Sequence, residues 1–304
     1  MAETGPRTWR SVNGLLLLDK PSGCSSNAAL QKARRLFSAR KAGHTGSLDP
    51  IANGLLPICF GEATKLCSHL LDSDKRYQVL IRLGAETNTC DREGEVISRA
   101  EVPLLDVDLI CGALASFQGR IQQVPPMYSA LKHQGKRLYE LARQGVEIER
   151  KAREVEIFAI EVLTFDRDSL TLDVKCSKGT YIRSLALDLG RLLGCGGYVE
   201  ELRRTAVGSF TLDQAQSLEV LGESMDEVER LGVLRPMDAM VLHLPSLHFD
   251  ADQSRRLNQG QAADLTDPTV TGWTRLYDEA QRFMGLGEAL ADGRVAPRRV
   301  FNLD

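Results

Sequence analysis

Apolar and polar positions along this chain follow two different periods in short, alternating blocks. Residues 14–18 form an unbroken apolar run that Asp19-Lys20-Pro21-Ser22-Gly23 closes, which predicts a short buried strand. Ser25, Ser26 or Asn27 then caps a helix that carries Leu30, Ala33 and Phe37 inward and leaves Lys32, Arg34 and Arg35 mostly outside. A second apolar run over 55–60 predicts another buried strand, and 63–71 a short helix. From Tyr77 the period drops to two, placing Tyr77, Val79, Ile81 and Leu83 on one face of a strand. Asp106 caps a helix bearing Leu109, Ala113, Leu114 and Phe117, with Gly119 as its stop.

Alternation returns over 154–165 and 169–177, two strands joined by a turn at 166–168. Residues 181–193 carry Ile182, Leu185, Ala186, Leu189 and Leu193 on one stripe, an amphipathic helix stopped by Gly194, with Arg183 off that stripe. Residues 200–205 lead into a short strand at 206–211, and a helical region is expected over 212–231. Beyond about 247 the elements shorten: a capped helix at 252–258, several strand-like runs and a glycine-rich turn at 283–288, the pattern of a small β-rich domain. Together the blocks predict an α+β protein with a mixed, mostly antiparallel central sheet flanked by helices, and a small C-terminal β-rich unit. The boundary is expected near 245, giving domains 1–245 and 246–304.

Composition narrows the class without naming a partner. The 38 Lys and Arg stand against 41 Asp and Glu, so any nucleic-acid surface must come from local clustering. A 43% hydrophobic content is that of an ordinary folded domain. The apolar run at 15–18 is too short for a signal segment or a membrane span, which predicts a cytoplasmic protein with no membrane partner. Seven widely spaced cysteines form no C-x-x-C pair, and the five histidines fall at no zinc spacing. Reduced, mostly buried thiols and no metal are expected.

Chemistry concentrates at Gly43-His44-Thr45-Gly46-Ser47-Leu48-Asp49-Pro50. Pro50 biases Asp49 away from the helical region, while Gly43 and Gly46 permit a sharp turn or a close approach to a ligand. Upstream lie Lys32, Arg34, Arg35, Arg40 and Lys41, with no acidic residue from Gln31 to Thr45. This reads as one catalytic carboxylate at a nucleic-acid surface, against the alternative of a plain Asp-Pro turn. His44 is either a hydrogen-bonded loop residue or a contact to a base. Tyr77 is either a half-buried strand aromatic or a ring at a cleft, and Arg183 either covers its helix or keeps an aspartate ionised. The stretch 120–153 is rich in Lys and Arg and holds one short helix, 136–144. It is a solvated face or a lid over nucleic acid. No phosphate loop or dinucleotide fingerprint is present, so no nucleotide cofactor is expected.

Six motifs occur in order: Leu18-Asp19-Lys20-Pro21, the Gly43 to Pro50 loop, Asn53-Gly54-Leu55-Leu56-Pro57, Lys75-Arg76-Tyr77, Pro125-Pro126-Met127-Tyr128-Ser129-Ala130, and Lys178-Gly179-Thr180-Tyr181-Ile182-Arg183-Ser184-Leu185. With them the chain resembles the bacterial TruB family of tRNA pseudouridine-55 synthases, and its tail is similar to that family's PUA-like domain. The resemblance implies a cofactor-free isomerase acting on one uridine in the T-loop of tRNA, by base flipping and an essential aspartate. It implies Asp49 as that carboxylate, Arg183 as its ion-pair partner and Tyr77 as the ring stacked on the flipped uracil. Tyr181 and the backbone at Leu202 match uracil contacts, His44 a residue filling space among displaced loop bases, and Lys20 a structural residue beside the site. The basic stretch at 120–153 corresponds to a thumb-like insertion that closes on the T-arm, and a monomer is expected. Two rivals remain at this stage: a tRNA-refolding chaperone that performs no chemistry, and an aspartate-dependent glycosylase that releases uracil.

Overall fold

In the computed structural model, residues 8–129 and 131–302 are described; Ala130, which ends the fifth motif, and the outermost residues of both expected domains lie outside the described residues. The chain opens with β1 (Gly14–Lys20), then α1 (Ser26–Leu36), whose N-cap Ser25 accepts a hydrogen bond from Ala28 N at 3.1 Å. The short β2 (Ala42–His44) and the longer β3 (Asn53–Phe60) follow, the aspartate loop running between them. A 3-10 turn leads into α2 (Cys67–Leu71), and β4 (Lys75–Leu83) into the hairpin of β5 (Ala85–Thr87) and β6 (Val96–Arg99).

The helix α3 (Val107–Ala115) is capped by Asp106, which accepts from Leu109 N at 2.8 Å. Its inward residues are Ile110 and Leu114; Leu109, expected inside, is exposed, because the helix turns Ile110 toward the sheet. Next come β7 (Gly119–Gln123), the tiny hairpin β8 (Lys132–His133) and β9 (Lys136–Arg137), and α4 (Leu138–Ala142), which is shorter than the expected 136–144. The strands β10 (Arg153–Asp166) and β11 (Ser169–Cys176), the helix α5 (Ile182–Leu192), and β12 (Gly197–Val207) complete the centre.

With β13 (Phe210–Thr211) and β14 (Gln216–Ser217), these strands form a ten-stranded sheet in the order β14-β1-β3-β12-β4-β11-β10-β7, with β2 beside β3 and β13 beside β12. Only β1–β14 and β3–β12 pair in parallel, so the sheet is mixed and mostly antiparallel. Residues 200–205, expected as a lead-in, lie inside the central β12. Their charges hide a strand because Arg204 is buried by donating to the Leu55 and Gly46 carbonyls. One sheet face buries Leu16, Leu18, Ile58, Val79 and Ile81 under α1 and α5; the other buries Leu15, Leu17, Leu55 and Cys59.

The expected helical region at 212–231 is broken into a 3-10 turn, β14, a π-helical turn and α6 (Glu227–Gly232), since 216–217 extend the sheet along the edge of β1 instead. From Ser246 a second sheet begins: β15 (Ser246–His248), α7 (Ala251–Asn258), β16 (Ala263–Asp264), β17 (Gly272–Tyr277), β18 (Phe283–Ala289) and β19 (Arg294–Val300), in the order β15-β17-β18-β19-β16. The expected turn at 283–288 is the central strand β18. Its Gly285 has φ +139°, and a Cβ there would sit 1.9 Å from the Arg299 carbonyl oxygen, so the glycine serves close strand packing and not a turn. Leu286 and Phe301 join the core beneath Leu15 and Leu55, docking the second sheet on the first. Among the described residues no helix is long and apolar enough to cross a membrane.

Candidate active site

The loop after β2 holds Asp49 by bonds that the sequence did not announce. The buried Ser26 hydroxyl, in the first turn of α1, accepts from Leu48 N at 2.7 Å and donates to Leu48 O at 2.9 Å. Gly23 N donates to Pro50 O at 2.8 Å, so the residues on both sides of Asp49 are tied to the start of α1. Gly46 takes φ +104° and its carbonyl accepts from Arg204 at 3.1 Å. Gly43, expected to help the turn, instead pairs with Cys59 inside β2; only Gly46 uses its freedom.

Arg183 meets that loop from α5. Its Nε lies 2.9 Å from Asp49 Oδ2, its Nη1 donates to Thr89 O (3.1 Å) and Asp91 Oδ2 (3.4 Å), and its Nη2 donates to Tyr128 O (2.7 Å). The Arg183 side chain is 5% exposed, whereas Asp49 keeps 40% of its side-chain surface open to the cleft. A buried guanidinium is stable only with its donors satisfied, and here two carboxylates and two carbonyls satisfy them. Asp91 is the partner that sequence reasoning missed. It sits in the β5–β6 hairpin loop, where its Oδ1 accepts from Thr89 Oγ1 at 2.6 Å and Glu93 N at 3.1 Å. Its only signal was a cluster of turn residues, Asn88-Thr89-Cys90-Asp91, between two short strands.

Burial pushes the Asp49 carboxyl up from its ordinary value; Arg183 opposes that rise, Asp91 adds to it, and Lys20 opposes it. Lys20 is fully buried, donating to Pro21 O (2.8 Å) and Cys24 O (2.7 Å), and burial pushes its ammonium down. It braces the turn behind the loop. Burial also lowers His44, with Arg204 acting in the same direction, so the imidazole is neutral near pH 7; its Nδ1 is buried without a protein partner.

Tyr77 lies on β4 opposite Arg204 of β12, and burial pushes its phenol up. Tyr181 is the N-cap of α5; its amide donates to Gln123 Oε1 at 2.7 Å, and burial pushes its phenol up too, against the Ser129 hydroxyl. Leu202, paired with Val79, is buried in the main core. Asp49, His44 and Arg183 therefore share the walls of one cleft of about 630 Å³, together with Asp91, Tyr128 and Tyr139. Tyr77, Tyr181, Leu202 and Lys20 lie outside its lining; Asp49 nonetheless acts electrostatically on both phenols and on Lys20. A larger cleft of about 820 Å³ opens beside Asp19, Lys32 and Arg35, but its Arg203–Asp19 ion pair is part-exposed on both partners. Convergent charge, not volume, makes the Asp49 cleft the candidate site.

The basic stretch projects from Val124 to Ala152, since its ends belong to β7 and β10. Arg137 and Arg143 flank the Tyr139 ring, at 6.0 and 5.6 Å, and all three line the cleft. Tyr139 N donates to Ser129 O at 3.1 Å, directly beside the Tyr128 carbonyl that holds Arg183.

Comparison with known proteins follows the same lines. Residues 34–182 match a model described as TruB family pseudouridylate synthase (N terminal domain), 183–242 one described as tRNA pseudouridylate synthase B C-terminal domain, and 245–301 one described as Pseudouridine synthase II TruB, C-terminal. A protein of Aromatoleum aromaticum named tRNA pseudouridine synthase B is 54% identical, covering 96% of this chain and 93% of its own length. Its namesake from Nitrosococcus oceani is 52% identical, with 96% and 95% covered. Among solved structures, a Cbf5-Nop10-Gar1 complex contains a chain similar at TM-score 0.71 and 26% identity, with 95% of this chain and 85% of that chain covered. An archaeal box H/ACA sRNP Nop10-Cbf5 complex shares the fold at TM-score 0.69, with 99% and 93% covered. Three successive matches to one family, and relatives more than half identical along nearly their whole length, place this chain in the TruB family, as a pseudouridine synthase and hence an isomerase.

Proposed function

We propose that this protein isomerises uridine 55 in the T-loop of tRNA to pseudouridine, working as a monomer in the cytoplasm with Asp49 as its essential carboxylate. The observation that carries the reading is the Asp49–Arg183 pair, 2.9 Å apart, with the arginine buried and the carboxylate open to a cleft of nucleotide size. A uridine inside a folded loop must leave its stack to reach such a cleft, at a cost of a few kcal/mol that protein contacts offset. The reaction breaks the N1–C1′ bond, turns the uracil, forms C5–C1′, releases the C5 proton to solvent and takes up one proton at N1, so atoms balance, it is redox-neutral and it needs no group donor.

Asp49 serves as an ionised group on each available route: attack on C1′, addition to C6 or removal of a ribose proton. Arg183 favours that ionised state where burial disfavours it. We assign Tyr77 to stacking on the flipped uracil, and Tyr181 and the Leu202 backbone to its edges. Neutral His44 fills space among the displaced loop bases, while Lys20 supports the loop from behind. The projecting segment closes on the T-arm through Arg137 and Arg143, and the sheet from Ser246 onward acts as a PUA-like RNA-contacting domain beside the catalytic domain ending near 245.

Incubating the protein with unmodified tRNA tritiated at uracil C5, then mapping the product nucleoside, tests this reading. Tritium release with pseudouridine at position 55 supports it. Free uracil would instead identify a glycosylase, and tight binding with no release a refolding chaperone.

A further inference from the structure

Another cleft, about 530 Å³, opens where the two sheets meet, lined by Lys65, His69, Asp72, His243, Trp273 and Arg299 among others, and shares no residue with the Asp49 cleft. Its walls carry three rings, the exposed His243 and Trp273 and the half-buried His69. His69 stands 6.4 Å from His243 and 6.3 Å from Trp273, the latter edge-on at 79°. Trp273 is 41% exposed on β17 and takes no part in the core of its own sheet. A large indole left half in water forgoes burial, so a partner for its face is worth seeking.

Charge selects the partner. The carboxylate of Asp72 is occupied by Lys178 at 2.8 Å, and Lys65 is held by Glu62 and by Val300 O at 2.9 Å. Arg299 is exposed, and among the described residues its side chain makes one hydrogen bond, to the Arg298 carbonyl at 3.3 Å. Free positive charge beside flat rings suits a nucleotide with its base stacked and its phosphate paired. Paired RNA is read through its backbone and hydroxyls, whereas unpaired bases stack on aromatic side chains, so the rings favour an unpaired nucleotide. Leu71, exposed at the end of α2 next to Asp72, lies between this cleft and Gly46 of the aspartate loop.

We propose that this cleft binds an unpaired nucleotide of the same RNA whose uridine enters the Asp49 cleft, its base on Trp273 and its phosphate on Arg299. The proposal rests on the RNA-modifying reading above. Trp9 and Trp273 are the only tryptophans, so Trp9→Phe leaves a single emitting reporter in the cleft. Titrating unmodified tRNA into that protein should quench its emission with the Kd found by filter binding. Trp273→Ala and Arg299→Ala, introduced separately into the otherwise native chain, should each raise Kd about tenfold, the scale of one lost stacking or charged contact. Unchanged emission at saturating tRNA, or a Kd within about twofold of wild type for both variants, would overturn the proposal. Equal quenching by heparin, which has anionic groups but no bases, would overturn the stacking assignment. Failure of the wild-type protein to bind tRNA at all would sink the RNA reading itself, whereas tight binding without quenching sinks only this cleft.

Discussion

Arg183 lies off the apolar stripe of α5, and it is buried because two carboxylates and two carbonyls meet its guanidinium. The consequence falls on Asp49. Its carboxyl is raised by burial, so the native state binds a proton more readily than the unfolded chain does. Stability linked to this group is therefore present at low pH and is lost as pH rises from the unfolded aspartate value, about 3.9, through the higher folded one. On the proposed assignment, in which ionised Asp49 reacts, activity runs the other way. The single-turnover rate should fall on acidification with a midpoint above that of a free aspartate, and Arg183→Gln should move the midpoint higher still while lowering the plateau. A pH profile in which Arg183→Gln leaves the midpoint in place would count against the pairing as the source of ionisation. At this scale the sequence indicated that Asp49 is presented, because a carboxylate between glycines and a proline is a poor core residue, and its side chain is part-exposed on the cleft. It concealed Asp91, one acid among many, whose role depends on a hairpin folding back toward α5.

Elements were most legible where one period ran uninterrupted, as in β4, β10, β11 and α5. They were lost where a charge is buried by a distant partner, as with Arg204 in β12, or where a glycine packs under a neighbouring strand, as in β18. Ser26 shows the same limit from the functional side. It looked like one of three possible helix caps, yet Ser25 caps α1 and Ser26 clamps Leu48. Ser26→Ala leaves a buried N–H and C=O without that hydroxyl, a cost of about 2 kcal/mol for two lost hydrogen bonds. Because Asp49 follows directly, the reacting carboxylate should also shift, and a displacement of about 1 Å can slow a reaction about 100-fold. Single-turnover kinetics should show a loss of that order with tRNA affinity unchanged; a variant that lost only thermal stability would refute the positioning role.

For the molecule as a whole, the main sheet and its helices carry Asp49 and Arg183, while the segment projecting between β7 and β10 adds Arg137 and Arg143 to the cleft wall. Tyr128 belongs to both, since its carbonyl holds Arg183, so only the outer part can be removed without touching the site. Replacing residues 132–149 with a short glycine linker should leave the core folded while deleting Lys132, Lys136, Arg137 and Arg143. Binding titrations at several salt concentrations should then show weaker tRNA affinity and a salt slope shallower by roughly 3, if all four cations contact phosphates. An unchanged slope would mean that this basic surface only faces solvent. The most direct test of the account is to compare wild type with Asp49→Asn under single-turnover conditions, measuring tRNA binding and pseudouridine formation on the same samples. Native-like affinity with no detectable pseudouridine from the Asn variant is the predicted result. Pseudouridine formed at a rate near that of wild type would contradict the assignment of Asp49 as the reacting carboxylate.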